Sequence, residues 1–186
     1  MLTKVLVISC SIFCVIDSAL VNQTANDQDS SKDFNEIQLE MANFRTIGDM
    51  NYYFHLKSTM TQPEAKKFCN SMGKNLVSIP NERVNVQLYE VFEKEASNKQ
   101  VYFWSSGERI NGNCFYWSAT GKAFVFTSWA SSEPNNVGGN ENCVETYHYP
   151  KKGQLLWNDI KCDFQRYVVC ENSGVDAASS NETPTN

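Results

Sequence analysis

Seven cysteines occur in the 186 residues, and their placement limits what the chain can become. Cys10 and Cys14 sit in an apolar run, residues 5–16, that follows Lys4 and precedes the small residues Ser18 and Ala19. About twelve apolar residues are too few to cross a hydrocarbon layer of ~30 Å. A basic start, a short apolar stretch and small residues after it are the parts of a secretory signal peptide, expected over residues 1–19. A buried first strand is the competing expectation. Secretion removes the first two cysteines and leaves Cys69, Cys114, Cys143, Cys162 and Cys170. In an oxidising compartment these favour disulfides. No Cys-x-x-Cys pair occurs, which speaks against zinc. Their number is odd, so one thiol stays free or joins two chains.

Hydrophobic residues make up 41% of the chain and aromatics 12%, enough for one domain with a core. The net charge of −5 argues against a nucleic-acid partner, since a phosphate-tracking surface needs clustered basic residues. Lys66-Lys67 and Lys151-Lys152 are isolated pairs. No segment after the leader is apolar enough to span a membrane, so a soluble, extracellular protein is expected.

The organisation reads in four parts. Residues 20–43 form a polar lead-in carrying the glycosylation sequon at Asn22. Phe34, Ile37, Met41 and Phe44 are spaced like a short neck helix, the favoured expectation, with Phe44 opening a first strand as the alternative. Residues 44–172 form the folded domain. The tail, 173–186, is rich in Ser, Asn and Thr, has a second sequon at Asn181, and is expected to be disordered.

Within the domain, Tyr52-Tyr53-Phe54-His55-Leu56 is strand-like. Thr61-Gln62-Pro63-Glu64 starts a helix with Ala65, Phe68, Cys69 and Met72 on one face, and Gly73 ends it. A strand is expected over 75–79, and Asn81 caps a second helix with Val84, Leu88, Val91 and Phe92 inward. Short strands follow at 101–104, 115–117, 124–126, 144–149, 155–157 and 167–170. Helices first and short strands later indicate an α+β domain. The stretch from Thr127 to Glu141 has no regular pattern, and a long irregular loop in a compact domain is usually functional.

That loop is rich in oxygen: Glu133, Asn135 and Glu141, with Asn158-Asp159 farther on. Calcium takes six to eight oxygen ligands, and three carboxylates with two amides are the donor types it needs. Without a cation the carboxylates repel one another, so a loop ordered only by metal is expected. A solvated surface loop is the plain alternative.

The arrangement resembles the carbohydrate-recognition domain of the C-type lectins. Glu133-Pro134-Asn135 matches the family's "EPN" tripeptide. Glu141 stands two residues before Cys143, and Trp157-Asn158-Asp159 matches "WND", with Cys162 following. Trp129 and the strand Trp104-Ser105-Ser106-Gly107 also fit. The resemblance implies disulfides Cys69–Cys170 and Cys143–Cys162. It implies one Ca²⁺ held by Glu133, Asn135, Glu141, Asn158 and Asp159, with a cis bond before Pro134. The same five residues would bind the sugar, joined by Val137, whose other role is loop packing. The Glu-Pro-Asn order implies mannose, N-acetylglucosamine or fucose-type ligands, whereas Gln-Pro-Asp goes with galactose. Asn136 and Asn142 stand where a second calcium would want acids, so one site is expected.

An enzyme is not expected. His55 and His148 lie in aromatic runs with no neighbour suggesting a triad, and no nucleophile-elbow or phosphate-loop pattern occurs. The resemblance implies instead a secreted, calcium-dependent lectin for glycans on cell or microbial surfaces. A galactose-preferring lectin, or a protein-binding domain with a structural calcium, is the alternative. Cys114 and the stretch 34–44 are the two routes open to a homodimer.

Overall fold

The computed structural model describes residues 43–96 and 98–173. The expected signal peptide, the lead-in and neck up to residue 42, both sequons and the tail from residue 174 lie outside the described residues.

The described elements run β1 (Phe44–Ile47), β2 (Met50–Met60), α1 (Gln62–Ser71), β3 (Lys74–Leu76), α2 (Glu82–Glu95), β4 (Val101–Asn111), β5 (Cys114–Trp117), β6 (Lys122–Ala123), β7 (Cys143–His148), β8 (Leu156–Ile160) and β9 (Arg166–Asn172). Phe44 thus opens a strand. Thr61 starts α1: its backbone N–H and its hydroxyl both donate to Glu64 Oε2, at 2.8 and 2.7 Å, supplying part of what a helix start lacks. Ala65 and Cys69 turn inward, and Gly73 takes the left-handed conformation (φ 66°) that closes the helix. Asn81 Oδ1 accepts the Val84 N–H at 3.0 Å and caps α2. Leu88, Tyr89 and Phe92 of α2 are buried.

The fold is α+β, as expected, with one departure from purely antiparallel sheets. β2 pairs antiparallel with β1 and β9, β4 with β5 and β7, and β7 with β8. β4 and β9, however, run parallel, with Phe103 opposite Tyr167 and Trp104 opposite Val168. A parallel pair needs a long crossover, and the chain between them, long loop included, serves as one.

Several strand expectations shift, three of them in ways that bear on packing. The strand expected over 75–79 ends at Leu76, although Val77 and Ile79 stay fully buried. β4 continues beyond Trp104 to Asn111 through an irregularity between Trp104 and Glu108. Residues 124–126 form no strand: Phe124 stacks on Trp117 at 4.0 Å and Phe126 meets Trp157 edge-on at 5.5 Å. Ring packing replaces the ladder there, and Val125 is left 96% exposed.

One core cluster is aromatic, built on Phe54, Phe92, Phe103, Trp117 and Trp157. The other gathers Tyr53, Ala65, Trp104 and Val168 around the disulfide Cys69–Cys170, which ties α1 to β9. Cys143–Cys162 joins the start of β7 to the turn after β8. Cys114 is an exposed free thiol. His148 is fully buried, with Nε2 2.7 Å from Glu93 Oε2.

Candidate functional site

The loop from residue 127 to 142 stands on the aromatic layer. The Trp157 backbone N–H donates to Ser128 O (2.8 Å), and the Trp157 carbonyl accepts the Ala130 N–H (2.8 Å). The rings of Trp117, Phe124 and Trp129 all meet Trp157 edge-on, at 5.4, 5.5 and 5.8 Å. Burial of these rings fixes the loop's base, because large aromatic areas dominate core energetics. Above it, Ser132 and Asn136 take left-handed conformations (φ 71° and 47°), and the Glu133–Pro134 bond is cis.

Asp159, on β8, is the hub. It is fully buried. Its Oδ1 accepts the Asn135 N–H at 2.9 Å, and its Oδ2 accepts the Asn136 N–H at 2.9 Å. Oδ2 also pairs with the Arg109 guanidinium. The loop is fastened to itself as well. The Val137 N–H points at Asn135 Oδ1 (3.0 Å) and Glu141 Oε2 (2.7 Å), while Asn136 Oδ1 accepts the Glu141 N–H at 3.0 Å. Asn136 is therefore a loop fastener. Asn142 contributes through its carbonyl, which accepts the Arg109 N–H at 2.9 Å.

Asn158 sits beside Asp159 but faces the other side of the strand, as alternation requires. It is paired in register with Glu145 of β7. Its Nδ2 donates to Glu145 Oε1 at 2.8 Å, which leaves its oxygen free to face elsewhere. Glu145, almost fully buried, is balanced by Arg166.

Glu133 Oε2 is buried with no hydrogen-bond partner among the described residues. The Glu133 carboxyl is held above its ordinary pKa, first by burial and then by the charge of Asp159 and of Glu141. Glu133 therefore feels both of the other acids. Among the described residues, no three acidic, histidine or cysteine side chains close into a metal cage by themselves. The available donors are of mixed type, three carboxylates and two amide oxygens, and an orphaned buried carboxylate oxygen lies among them. That set fits a hard, oxygen-seeking dication better than a soft one.

The five expected ligands thus come from one loop and one strand that are hydrogen-bonded together. Val137 is 62% exposed at the loop's rim. Glu108 is turned away from the loop: it accepts from Lys66 Nζ (2.7 Å), Gln62 Nε2 (3.0 Å) and the Tyr116 hydroxyl (3.0 Å). Sequence reasoning missed two participants, Arg109 and Glu145. Glu145 has a faint signal, an acid two residues after Cys143 in a run that reads as a strand. Arg109 has none beyond its place next to Glu108.

Residues 58–172 match the family described as Lectin C-type domain. The chain is 35% identical over 129 residues to pulmonary surfactant-associated protein D of Bos taurus, covering 69% of this chain and 32% of that protein. It is 30% identical over 112 residues to the C-type lectin mosGCTL-7 of Aedes aegypti, covering 58% of this chain and 74% of that one. The solved structure of the C-type lectin CEL-I from Cucumaria echinata superposes with a TM-score of 0.60 at 22% identity, over 69% of this chain and 94% of that one. The chain spans about a third of the length of the surfactant protein, so that likeness concerns one part of it.

Proposed function

The chain belongs to the C-type lectin domain family, and within it we propose a secreted lectin that binds mannose-type sugars through one calcium ion. The family is one of carbohydrate-binding domains, not of enzymes. The observation that carries the reading is the fastening of the Glu133-Pro134-Asn135 loop onto Asp159, which keeps Glu133 within electrostatic reach of both that buried acid and Glu141.

Oxygens of Glu133, Asn135, Glu141, Asn158 and Asp159 would hold the ion. When bound, it supplies direct coordination to two neighbouring sugar hydroxyls. The protein groups do the rest. A hydroxyl is both donor and acceptor, so each of the two hydroxyls donates a hydrogen bond to one carboxylate, Glu133 or Glu141, and accepts one from an amide N–H, of Asn135 or Asn158. Asn158 has a second N–H for this, one being committed to Glu145. A site open to water gains net affinity only where every such capacity is used. The acid-then-amide order of Glu133 and Asn135 favours the mannose, N-acetylglucosamine and fucose class. Exposed Val137 touches the sugar ring from the rim.

Mannose-agarose tests the reading. Retention in calcium and release by EDTA are expected. No retention, or retention indifferent to EDTA, would falsify it and favour a protein ligand. Glu133→Gln with Asn135→Asp should move the preference toward galactose; an unchanged sugar ranking sinks the donor–acceptor account. Cleavage of the leader near Ala19, read by N-terminal sequencing of protein from the medium, tests secretion, and glycosidase-sensitive mass tests Asn22 and Asn181. A single shallow site binds weakly, so several copies acting together are expected. Exposed Cys114 is one means of joining them, and comparing electrophoresis with and without reductant reads it.

A further inference from the structure

Arg109 makes more contacts to the loop region than any ligand role requires. Its backbone N–H donates to Asn142 O at 2.9 Å. Its Nε donates to Glu141 O at 2.9 Å, and Nη2 pairs with Asp159 Oδ2. Nη1 donates to Gly112 O in the turn between β4 and β5, with Asn113 Oδ1 at 3.5 Å. The guanidinium carbon lies 4.5 Å from the centre of the Phe115 ring. The side chain is only 5% exposed. A guanidinium has five N–H donors in a rigid fork and stacks well on aromatic faces. Here one fork spans the loop's closing end, the strand that carries Asp159, and the β4–β5 turn.

We propose that Arg109 is the positioning residue of this site: a permanent internal cation that holds the loop closed when calcium is withdrawn. The inference rests on the calcium-lectin reading for its use but not for its test. Charge supports it. Glu133, Glu141 and Asp159 carry three negative charges, and a lone dication leaves one uncancelled. The guanidinium cancels that one, and it is fixed in the chain. A buried carboxylate without a partner is costly, so Asp159 holds its two loop N–H groups only while a cation sits beside it. On this proposal the loop is ordered by Arg109, and calcium is added to a site already formed, in place of a loop ordered by metal alone.

The test is amide hydrogen exchange at Asn135, Asn136, Val137 and Glu141 in the full chain, in EDTA and in calcium. In the wild type, protection in EDTA should lie within about threefold of that in calcium. Arg109→Gln should lower protection in EDTA about tenfold or more, a local opening that leaves core amides unchanged. Calcium should restore it. Arg109→Lys keeps the charge but not the fork and should fall between the two. Equal loop exchange of wild type and Arg109→Gln in EDTA overturns the proposal. If Arg109→Gln also loosens core amides such as those of Val144 and Val168, Arg109→Lys decides: loop rates at the wild-type level overturn the proposal, and faster loop exchange over an unchanged core supports it. If calcium changes nothing in any variant, the calcium reading fails, while the EDTA arm still decides the role of Arg109.

Discussion

The two ends of β4 belong to differently built regions. Toward Val101 it lies between β7 and β9 in a ladder of backbone hydrogen bonds, above buried rings and beside the Cys69–Cys170 bridge. Toward Asn111 it pairs with β5 alone and sets the Arg109 side chain against a loop that has almost no ladder. There, order comes largely from side chains bonding to backbone: Asp159 to two N–H groups, Asn136 to one, Arg109 to two carbonyls, and Arg109 pairs with the Asp159 carboxylate as well. The first region resists by burial, which is spread over many residues. The second resists by a few polar contacts, so single substitutions should open it without unfolding the rest. Stability and recognition are therefore separable in this chain, and four measurements probe how far.

The largest effect should come from the outer disulfide. Its sequence separation is 101, and closing a loop of that size is worth about 4.7 kcal/mol in the chain-entropy account. Cys69→Ala with Cys170→Ala should lower the urea-unfolding free energy by that order, in both regions together. The inner bridge, with a separation of 19, is worth about 3 kcal/mol on the same account. Its removal should cost sugar retention disproportionately, because it joins the Glu141 side to the Asp159 side. Equal loss of retention and stability for both bridges would blur the separation.

Gly107 is next. A Cβ there would lie 2.8 Å from the Phe124 ring and 2.9 Å from Val144 Cβ. Gly107→Ala should destabilise by about 1–3 kcal/mol through overpacking. Because Phe124 belongs to the loop's aromatic base, this variant should disturb both regions at once. A thermal scan with a tryptophan-fluorescence readout would reveal it.

Glu171 probes the ladder region alone. Burial pushes its carboxyl up to about 7, offset in part by hydrogen bonds from Ser78. A raised folded-state pKa means that the native protein holds the proton more tightly than the unfolded chain. Stability is then fullest below the ordinary carboxylate range and is lost as pH rises toward about 7. Glu171→Gln should stabilise by roughly 1–2 kcal/mol at pH 8 and by little at pH 4. A pH-independent effect would refute the burial account.

The smallest effect on stability, and a large one on binding, belongs to Glu133. Its pKa is raised by burial and by the neighbouring acids, so a proton competes with calcium above the ordinary carboxylate range. Retention on mannose-agarose should weaken as pH falls through that range. Glu133→Gln should abolish retention while moving the melting temperature very little.

Much of the ladder region was legible from local patterns. Thr61 and Glu64, Asn81 and the inward faces of both helices are signals a few residues long, and short-range chemistry decides them. The strand over 124–126 was misread because an apolar run looks the same whether its rings meet a ladder or a tryptophan. In the site, Glu133, Asn135 and Asp159 stood out because their residue types and order are distinctive. Arg109 did not, because its meaning comes from contacts with Glu141 and Asp159, 32 and 50 residues away. Glu145 was hidden for the same reason: only the β7–β8 register puts it opposite Asn158.

That register has a counterpart on the other edge of β7. Trp104 faces Glu145 and Glu108 faces Cys143, so β4 advances four positions where β7 advances two. The surplus, around Ser105 and Ser106, sets the frame in which the rest of β4 is read: Glu108 toward Lys66 and Gln62, Arg109 toward Asp159. Deleting one serine would shift that frame by one and exchange faces. Arg109 would then stand where Glu108 now meets a lysine, and Ile110 would stand beside the buried carboxylate. The charge pattern at the loop-facing end is thus written as much in the length of a strand as in the identity of its residues.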